Sequence, residues 1–342
     1  GQTSNKGIEI ALQGVLVKTR DWNVTAGFNI NFNRGKVDKL ADNVTGLYGT
    51  EWATSSTFPK SDYVLKEGRP VGLVRGLTAD GFYTTDDFTY ANGVYTLKEG
   101  VADVSSAVFP NYHLHNGMNE RPAGQLAYPG MAKFKDLNDD GIINDDDVDV
   151  IGDMTPVHTG GFNINATYKN FDLGLYFNWS YGNEIYNVNK LAALYGYKEG
   201  AVYENKLSIV KDCYKIYDVV NGELVALTTP EQLNAANANA KLPLAYSENG
   251  YVSTLGIEDG SYLRLNTLTL GYTLPKSMLQ KAGISNLRVY GSIYNVFTIT
   301  GYSGIDAEVS TSTSTKTYPQ LGMDWGTYPR ARSFVLGVNL SF

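Results

Sequence analysis

Seven segments of this chain alternate apolar and polar residues with a period of two, and no other feature limits the possible folds so much. Successive side chains of a strand point to opposite faces, so strict alternation marks a strand with one apolar and one polar side. Segment 22–33 is the clearest. Trp22, Val24, Ala26, Phe28, Ile30 and Phe32 share one face, and Asn23, Thr25, Gly27, Asn29, Asn31 and Asn33 share the other. Segment 171–182 sets Phe171, Leu173, Leu175, Phe177, Trp179 and Tyr181 against Asp172, Gly174, Tyr176, Asn178 and Ser180. Segment 332–342 sets Phe334, Leu336, Val338, Leu340 and Phe342 against Ser333, Val335, Gly337, Asn339 and Ser341. Segments 7–17, 161–168 and 286–298 follow the same pattern less cleanly. Segment 261–274 changes phase near Asn266, which predicts a bulge or a strand running past a boundary. A short unit recurs, Gly-Phe-Asn-Ile-Asn at 27–31 and 161–165 and Gly-Val-Asn-Leu-Ser at 337–341, and reads as a repeated wall element.

The connections alternate too. Short links at Lys18–Asp21, Lys169–Asn170 and Pro275–Ser285 take turns with long stretches at about 34–160, 183–260 and 299–331. Transmembrane barrels show this asymmetry, with tight periplasmic turns and long extracellular loops. On that reading the C-terminus is periplasmic and Phe342 is the terminal aromatic signal of the last strand. A soluble antiparallel sheet also alternates. Two features favour the membrane. Phe, Trp and Tyr gather near strand ends, as interfacial girdles do. The polar faces are Asn, Thr, Ser and Gly rather than Lys and Glu.

Composition removes other classes. With 28 Lys+Arg against 35 Asp+Glu, the chain lacks the basic excess that phosphate-backbone binding needs, which excludes nucleic acid as the expected partner. One cysteine, Cys213, excludes an internal disulfide framework. No apolar run reaches the ~18 residues of a membrane helix. The mean hydropathy of −0.23 is what alternating strands give. The expected fold class is all-β: about seven C-terminal strands of a large antiparallel transmembrane β-barrel with long extracellular loops. Seven is odd, and an open sheet leaves unsatisfied backbone groups in lipid. Further strands are therefore expected upstream. Loops of this length are expected to fold locally.

One motif carries metal chemistry. Residues 136–147 read Asp-Leu-Asn-Asp-Asp-Gly-Ile-Ile-Asn-Asp-Asp-Asp, matching a calcium loop through its first six positions. Asp136, Asn138 and Asp140 supply side-chain oxygens, Ile142 a backbone carbonyl, Asn144 the water-mediated place, and Asp147 the twelfth position. Aspartate there shortens the usual glutamate arm. Neither flank looks like the helix of a sensor, so a structural Ca2+ is expected.

The residues also resemble the SusC/RagA-like TonB-dependent outer-membrane transporters of Bacteroidetes. The carriers are Asn5-Lys6-Gly7-Ile8-Glu9, Lys133-Phe134-Lys135-Asp136 through Gly141 with Ile151-Gly152 and Pro156, Ser261-Tyr262-Leu263-Arg264-Leu265 through Leu274-Pro275, Tyr290 to Phe297, Tyr302-Ser303-Gly304-Ile305-Asp306-Ala307-Glu308, and Tyr328-Pro329 leading into Ser333–Phe342. Ala307 departs from the proline usual in that family. The resemblance implies the last seven strands of a 22-stranded, plugged barrel. It further implies a SusD-like surface lipoprotein as partner, energy from TonB through the N-terminal part, and a glycan or peptide substrate.

Enzyme signatures are missing from the sequence. It has no phosphate-cradling loop and no Gly-x-Ser-x-Gly elbow. Of the three histidines, His113, His115 and His158, the first two are spaced by two and could touch a metal from an extended strand, but they read rather as solvated loop residues. Asp306 and Glu308, two apart in a loop, make a poor glycosidase pair. The chain is therefore not expected to be an enzyme. Tyr176, Asn178, Arg288, Tyr290 and Tyr294 would face a lumen, where tyrosines can stack on sugars or bond peptides. The competing function is a secreted, calcium-stabilised β-rich binding or adhesion module.

Overall fold

The computed structural model describes residues 1–53, 57–109, 121–194, 206–245, 250–280, 283–309 and 321–342. Its frame is one antiparallel sheet of seven strands, each bonded to the next in chain order. They are β1 (Gln2–Lys18), β2 (Trp22–Lys39), β3 (His158–Tyr168), β4 (Phe171–Tyr181), β5 (Tyr262–Thr273), β6 (Asn286–Thr300) and β7 (Ser333–Ser341). This is the expected meander, and among the described residues no helix is long and apolar enough to cross a membrane.

Register carries the apolar pattern from strand to strand. One cross-strand row links Trp22, Tyr168, Phe171, Tyr272, Val289 and Val338. A middle row links Leu12, Phe28, Phe162, Phe177, Leu265 and Phe297. These side chains share the outward face, where Leu12 is 64% exposed and Leu265 alone among them is buried, at 4%. A soluble sheet would bury such a face, whereas hydrocarbon solvates it. Aromatics mark both ends. Trp22 packs on Tyr168 at 4.4 Å and Phe171 on Tyr272 at 4.7 Å at the short-turn end. At the other end His158 stacks on Tyr181 at 5.0 Å, and Trp179 Nε1 donates to His158 Nδ1 at 3.1 Å. From Phe171 to Tyr181 the strand climbs about 33 Å, or ~25 Å when tilted about 40°, the height of an outer-membrane apolar band.

The phase change near Asn266 is a bulge. Register slips between Leu265 and Thr267 against both neighbouring strands. Asn295 on β6 answers it with a left-handed backbone, φ 53°. The bulge lets Leu263 and Leu265 share the lipid side with Leu268 and Leu270, despite their opposite parity. The strands β1 and β2 also run further than alternation predicts, pairing from Gln2 to Lys39. Their extension carries Lys6, Arg34, Lys36, Asp38 and Lys39, with a Ser4–Asp38 hydrogen bond of 2.9 Å. Apart from the buried Val37, its side chains are polar or absent on both faces, so it is regular backbone with no hydrophobic period.

The three long connections, expected to fold locally, instead share their cores. The largest buried cluster joins Tyr83, Tyr95, Tyr128, Phe134 and Ile143 of the first connection to Tyr214, Leu233 and Tyr251 of the second. A second cluster joins Tyr63 and Val74, Tyr186 and Leu191, and Met323, one set from each connection. Small sheets repeat the mixing, since Glu184–Asn187 pairs with both Ile257–Asp259 and Met323–Asp324. One loop assembly thus stands at the end of the wall opposite the short turns.

Candidate functional site: the polar wall and the loop assembly at its mouth

The inner face of the wall is a lattice of small and amide residues with a few large side chains lying across it. Tyr176, Thr267 and Tyr294 share one cross-strand row, with Asn163 beside Tyr176 and Ser333 beside Tyr294. Tyr176 Oη donates to Asn165 Oδ1 at 3.1 Å, and the Thr269 and Ser292 hydroxyls are 2.8 Å apart. Tyr176 and Tyr294 remain 45% and 42% exposed, available to a solute. Asn178, nearer the loops, donates to Tyr262 Oη at 3.2 Å.

Arg288 and Tyr290 lie at the short-turn end. Arg288 forms a two-pronged pair with Asp172, and its guanidinium sits 4.7 Å over the Tyr290 ring. The Tyr290 ring in turn lies across Gly337, where a Cβ would come within 2.3 Å of it. Only glycine leaves room for a ring laid flat on the wall. The five sequence candidates therefore do not form one pocket. Tyr176 and Tyr294 share a row, Asn178 lies above it, and Arg288 and Tyr290 lie below it with the arginine's charge already matched.

The mouth holds a buried charge cluster. Arg264 on β5 is only 3% exposed. Its guanidinium pairs with Asp306, reaches Glu308 at 3.2 Å, and donates from Nε to Thr298 Oγ1 at 3.0 Å. Arg330 closes the set, 3.1 Å from Glu308 and 3.7 Å from Asp306. Burying charge this deeply is tolerable only when partners surround it. The cluster pins segment 301–309 to the wall, and the two carboxylates are taken up by arginines rather than poised as an acid pair. Tyr302 Oη adds a 2.6 Å hydrogen bond to Asp324. Glu258 accepts from the Ser303 N–H and hydroxyl, both at 2.9 Å, and pairs with Lys190 at 3.2 Å. Burial alone pushes the Glu258 carboxyl up, but the Ser303 and Lys190 contacts more than reverse this and hold it below the usual glutamate range. Pairing Asp306 with Arg264 across 42 positions was invisible in the sequence. The available signal was one arginine amid the leucines of Tyr262-Leu263-Arg264-Leu265.

Residues 136–147 form a tight ring on the loop assembly. Asp136 Oδ2 accepts the Gly141 N–H at 2.7 Å, Asn138 Oδ1 the Asp140 N–H at 3.1 Å, and Asp140 Oδ1 the Ile142 N–H at 2.9 Å. Gly141 takes the sharp turn at φ 84°, where a side chain would strain the backbone. Ile143 is buried in the larger core. Asn144 accepts from the Asp146 N–H at 2.7 Å, while Asn144 Nδ2 donates to the Ile142 carbonyl at 3.3 Å. Asp147 is fully buried, and its two oxygens accept the N–H groups of Leu137 and Asn144 at 2.7 and 2.8 Å. It fastens the two ends of the ring. Among the described residues, no three His, Cys, Asp or Glu side chains converge as metal ligands.

The other reactive types are quiet. Burial pushes the Cys213 thiol up to about 11, so little thiolate exists near neutrality. His158 belongs to the aromatic belt, and His113 and His115 lie outside the described residues.

Comparison with known proteins agrees with this geometry. No family model matches the chain. Over its whole length it is 29% identical to TonB-dependent receptor P3 of Formosa agariphila, of which it covers 29%. It is 26% identical, again over its whole length, to TonB-dependent receptor SusC of Bacteroides thetaiotaomicron, of which it covers 27%. Its fold superposes on a chain of the RagAB peptide importer in the open-open state with a TM-score of 0.64, at 21% identity over 99% of this chain and 29% of that one. The chain thus spans less than a third of the relatives it matches. The relatives it is similar to over its whole length are TonB-dependent receptors, SusC among them, and its wall and register have the fold of a stretch of such a barrel.

Proposed function

We propose that this chain is the C-terminal part of a barrel that imports a nutrient oligomer, a glycan or a peptide, across the bacterial outer membrane with energy from TonB. The carrying observation is the wall, with an outward face of leucine and aromatic residues about 25 Å tall between two aromatic belts. No bond is broken in this function. The polar face, with Tyr176 and Tyr294 in one row, lines the passage, and the loop assembly stands at its extracellular mouth. A SusD-like lipoprotein is the proposed partner over those loops, by analogy with the two-component importer whose fold this chain shares. The short turns then lie on the periplasmic side, with Phe342 beside them.

We also propose a structural Ca2+ in the 136–147 ring. It rests on the six-position motif and on oxygens of Asp136, Asn138 and Asp140 presented on one exposed turn. Asp147 acts there as the ring's fastener, and the Ile142 carbonyl and Asn144 complete the donor set. Calorimetric titration of the full-length protein should show heat at or below millimolar Ca2+, lost in Asp136→Ala. Absence of heat in a folded sample would remove the ion.

The import reading is tested by deleting the whole gene and supplying single glycans or peptides as the nutrient source. Growth on one class should fail, and deletion of TonB should reproduce that failure. A full-length product that stays folded and monodisperse without detergent would overturn it in favour of a secreted module.

A further inference from the structure

The short-turn end of the wall differs in charge from the rest of the molecule. The turns there are laced into one rim. The Lys169 N–H donates to the Asp21 carbonyl at 2.9 Å, the Thr273 N–H to the Asn170 carbonyl at 2.8 Å, and the Ser285 N–H to the Ser341 carbonyl at 2.8 Å. On this rim stand the cations Lys18, Arg20, Lys169 and Lys276, all exposed, against one exposed acid, Asp21. None of the four pairs with a carboxylate among the described residues, and Asp172, the acid nearest on β4, is taken by Arg288. A basic edge on a chain of net charge −7 is a local arrangement, not a reflection of composition.

Three further observations give the edge a ligand. The aromatic row Trp22–Tyr168 and Phe171–Tyr272 lies directly inward of the cations. Lys169 Nζ sits 5.3 Å above the Tyr168 ring, which holds it at the boundary rather than out in water. A cleft of about 370 Å³ opens between two turns, lined by Lys169, Asn170, Phe171, Thr273 and Lys276 and, towards the inner face, by Thr167 and by Asp172, whose carboxylate Arg288 holds. Beside it the short helix Lys276–Leu279 exposes Met278 at 67%. A ligand that fits must carry an anion at the level of the turns and hydrocarbon at the level of Phe171 and Met278. A glycerophospholipid does both, whereas inorganic phosphate leaves the apolar half uncovered.

We propose that the short-turn rim is a phospholipid-headgroup site. In it Lys18, Arg20, Lys169 and Lys276 hold lipid phosphates, and the aromatic row receives the acyl-chain boundary. The proposal rests on the barrel reading above. It adds that the rim fixes the depth of the wall by charge as well as by its girdle.

The test uses the full-length protein in phosphatidylcholine vesicles containing a rising fraction of brominated phosphatidylglycerol. Bromine quenches nearby tryptophan, and subtracting the signal of Trp22→Phe isolates Trp22 at the rim. Each cation near an anionic lipid surface is worth about fivefold in binding before screening. The variant Lys18→Gln/Arg20→Gln/Lys169→Gln/Lys276→Gln should therefore lose at least about fivefold of its preference for phosphatidylglycerol at Trp22. Quenching by brominated diacylglycerol, which lacks phosphate, should be equal in the two proteins. Equal phosphatidylglycerol preference in variant and parent would overturn the site. So would full displacement by millimolar inorganic phosphate, which would make it a site for the free ion. Brominated phosphatidylcholine reports insertion for both proteins. If neither inserts, the barrel reading fails and the site falls with it; if both insert without a headgroup preference, the site alone fails.

Discussion

The wall and the loop assembly are built from the same residue types by opposite rules. In the wall, large apolar groups face outward and small polar ones inward, so Leu336 and Phe334 are 89% and 72% exposed. In the loop assembly, tyrosines are the interior, with Tyr83, Tyr95, Tyr128 and Tyr186 fully buried. Two of these hydroxyls reach backbone carbonyls, Tyr83 to Ala102 at 2.6 Å and Tyr95 to Thr228 at 3.1 Å. The difference shows what each region is solvated by. Hydrocarbon accepts an apolar exterior and demands that every backbone group be paired within the sheet. Water demands an apolar interior and leaves irregular backbone free to find its own partners.

The sharpest way to break the contrast is to move residues from one rule to the other. Deleting Asn266 removes the bulge, turning Leu263 and Leu265 inward and Arg264 away from Asp306. Loss of one partner of a buried pair costs about 3–5 kcal/mol and misplaced leucines add to that, so more than about 5 kcal/mol is expected. Folding yield into vesicles, read by heat-dependent gel migration, should collapse. A yield near the parent's would show that the bulge is not needed for phase.

Tyr186→Ala is expected to cost about 3–5 kcal/mol in the loop assembly alone, by emptying a site packed on Trp52 and Tyr63. Limited proteolysis should then cut the loops while the wall stays resistant. Simultaneous loss of both would mean that the two regions unfold as one.

Leu175→Arg, near the middle of β4, should cost about 2–4 kcal/mol in lipid, whereas Asn163→Lys on the inner face should cost far less. Urea titration in vesicles measures both. Equal effects would contradict the assignment of faces.

The smallest effect is expected at Glu258→Gln, about 1 kcal/mol, from weaker hydrogen bonds to Ser303 and Lys190. Because the folded carboxyl is held below its unfolded value of about 4.3, its contribution is complete above that pH. It is lost as pH falls through the lowered value. Hydrogen exchange at segment 301–309 should rise on acidification in the parent and already be raised in the variant.

The two regions were unequally legible. Alternation located all seven strands of the wall, and a parity break at Asn266 located its bulge, because a two-sided environment writes itself onto every second residue. The ends of β1 and β2 were missed because polar residues and glycine take over both faces there, with Val37 as the exception. The calcium-type motif at 136–147 was readable for its turn, with Gly141 at the left-handed position, but not for the burial of Asp147. The tyrosine cores, by contrast, left no periodic trace.

The sequence by itself determined which residues share the apolar face of each strand, which segments connect the strands, and which receptors the chain resembles. These are local facts, set by spacing along a few residues. Tertiary structure alone decided that three long connections share their cores, that Arg264 finds Asp306, Glu308 and Arg330, and that four cations from separate turns line one rim. Those arrangements join residues tens to hundreds of positions apart. Their partners are chosen by packing and by the need to neutralise buried charge, and neither leaves a period to read.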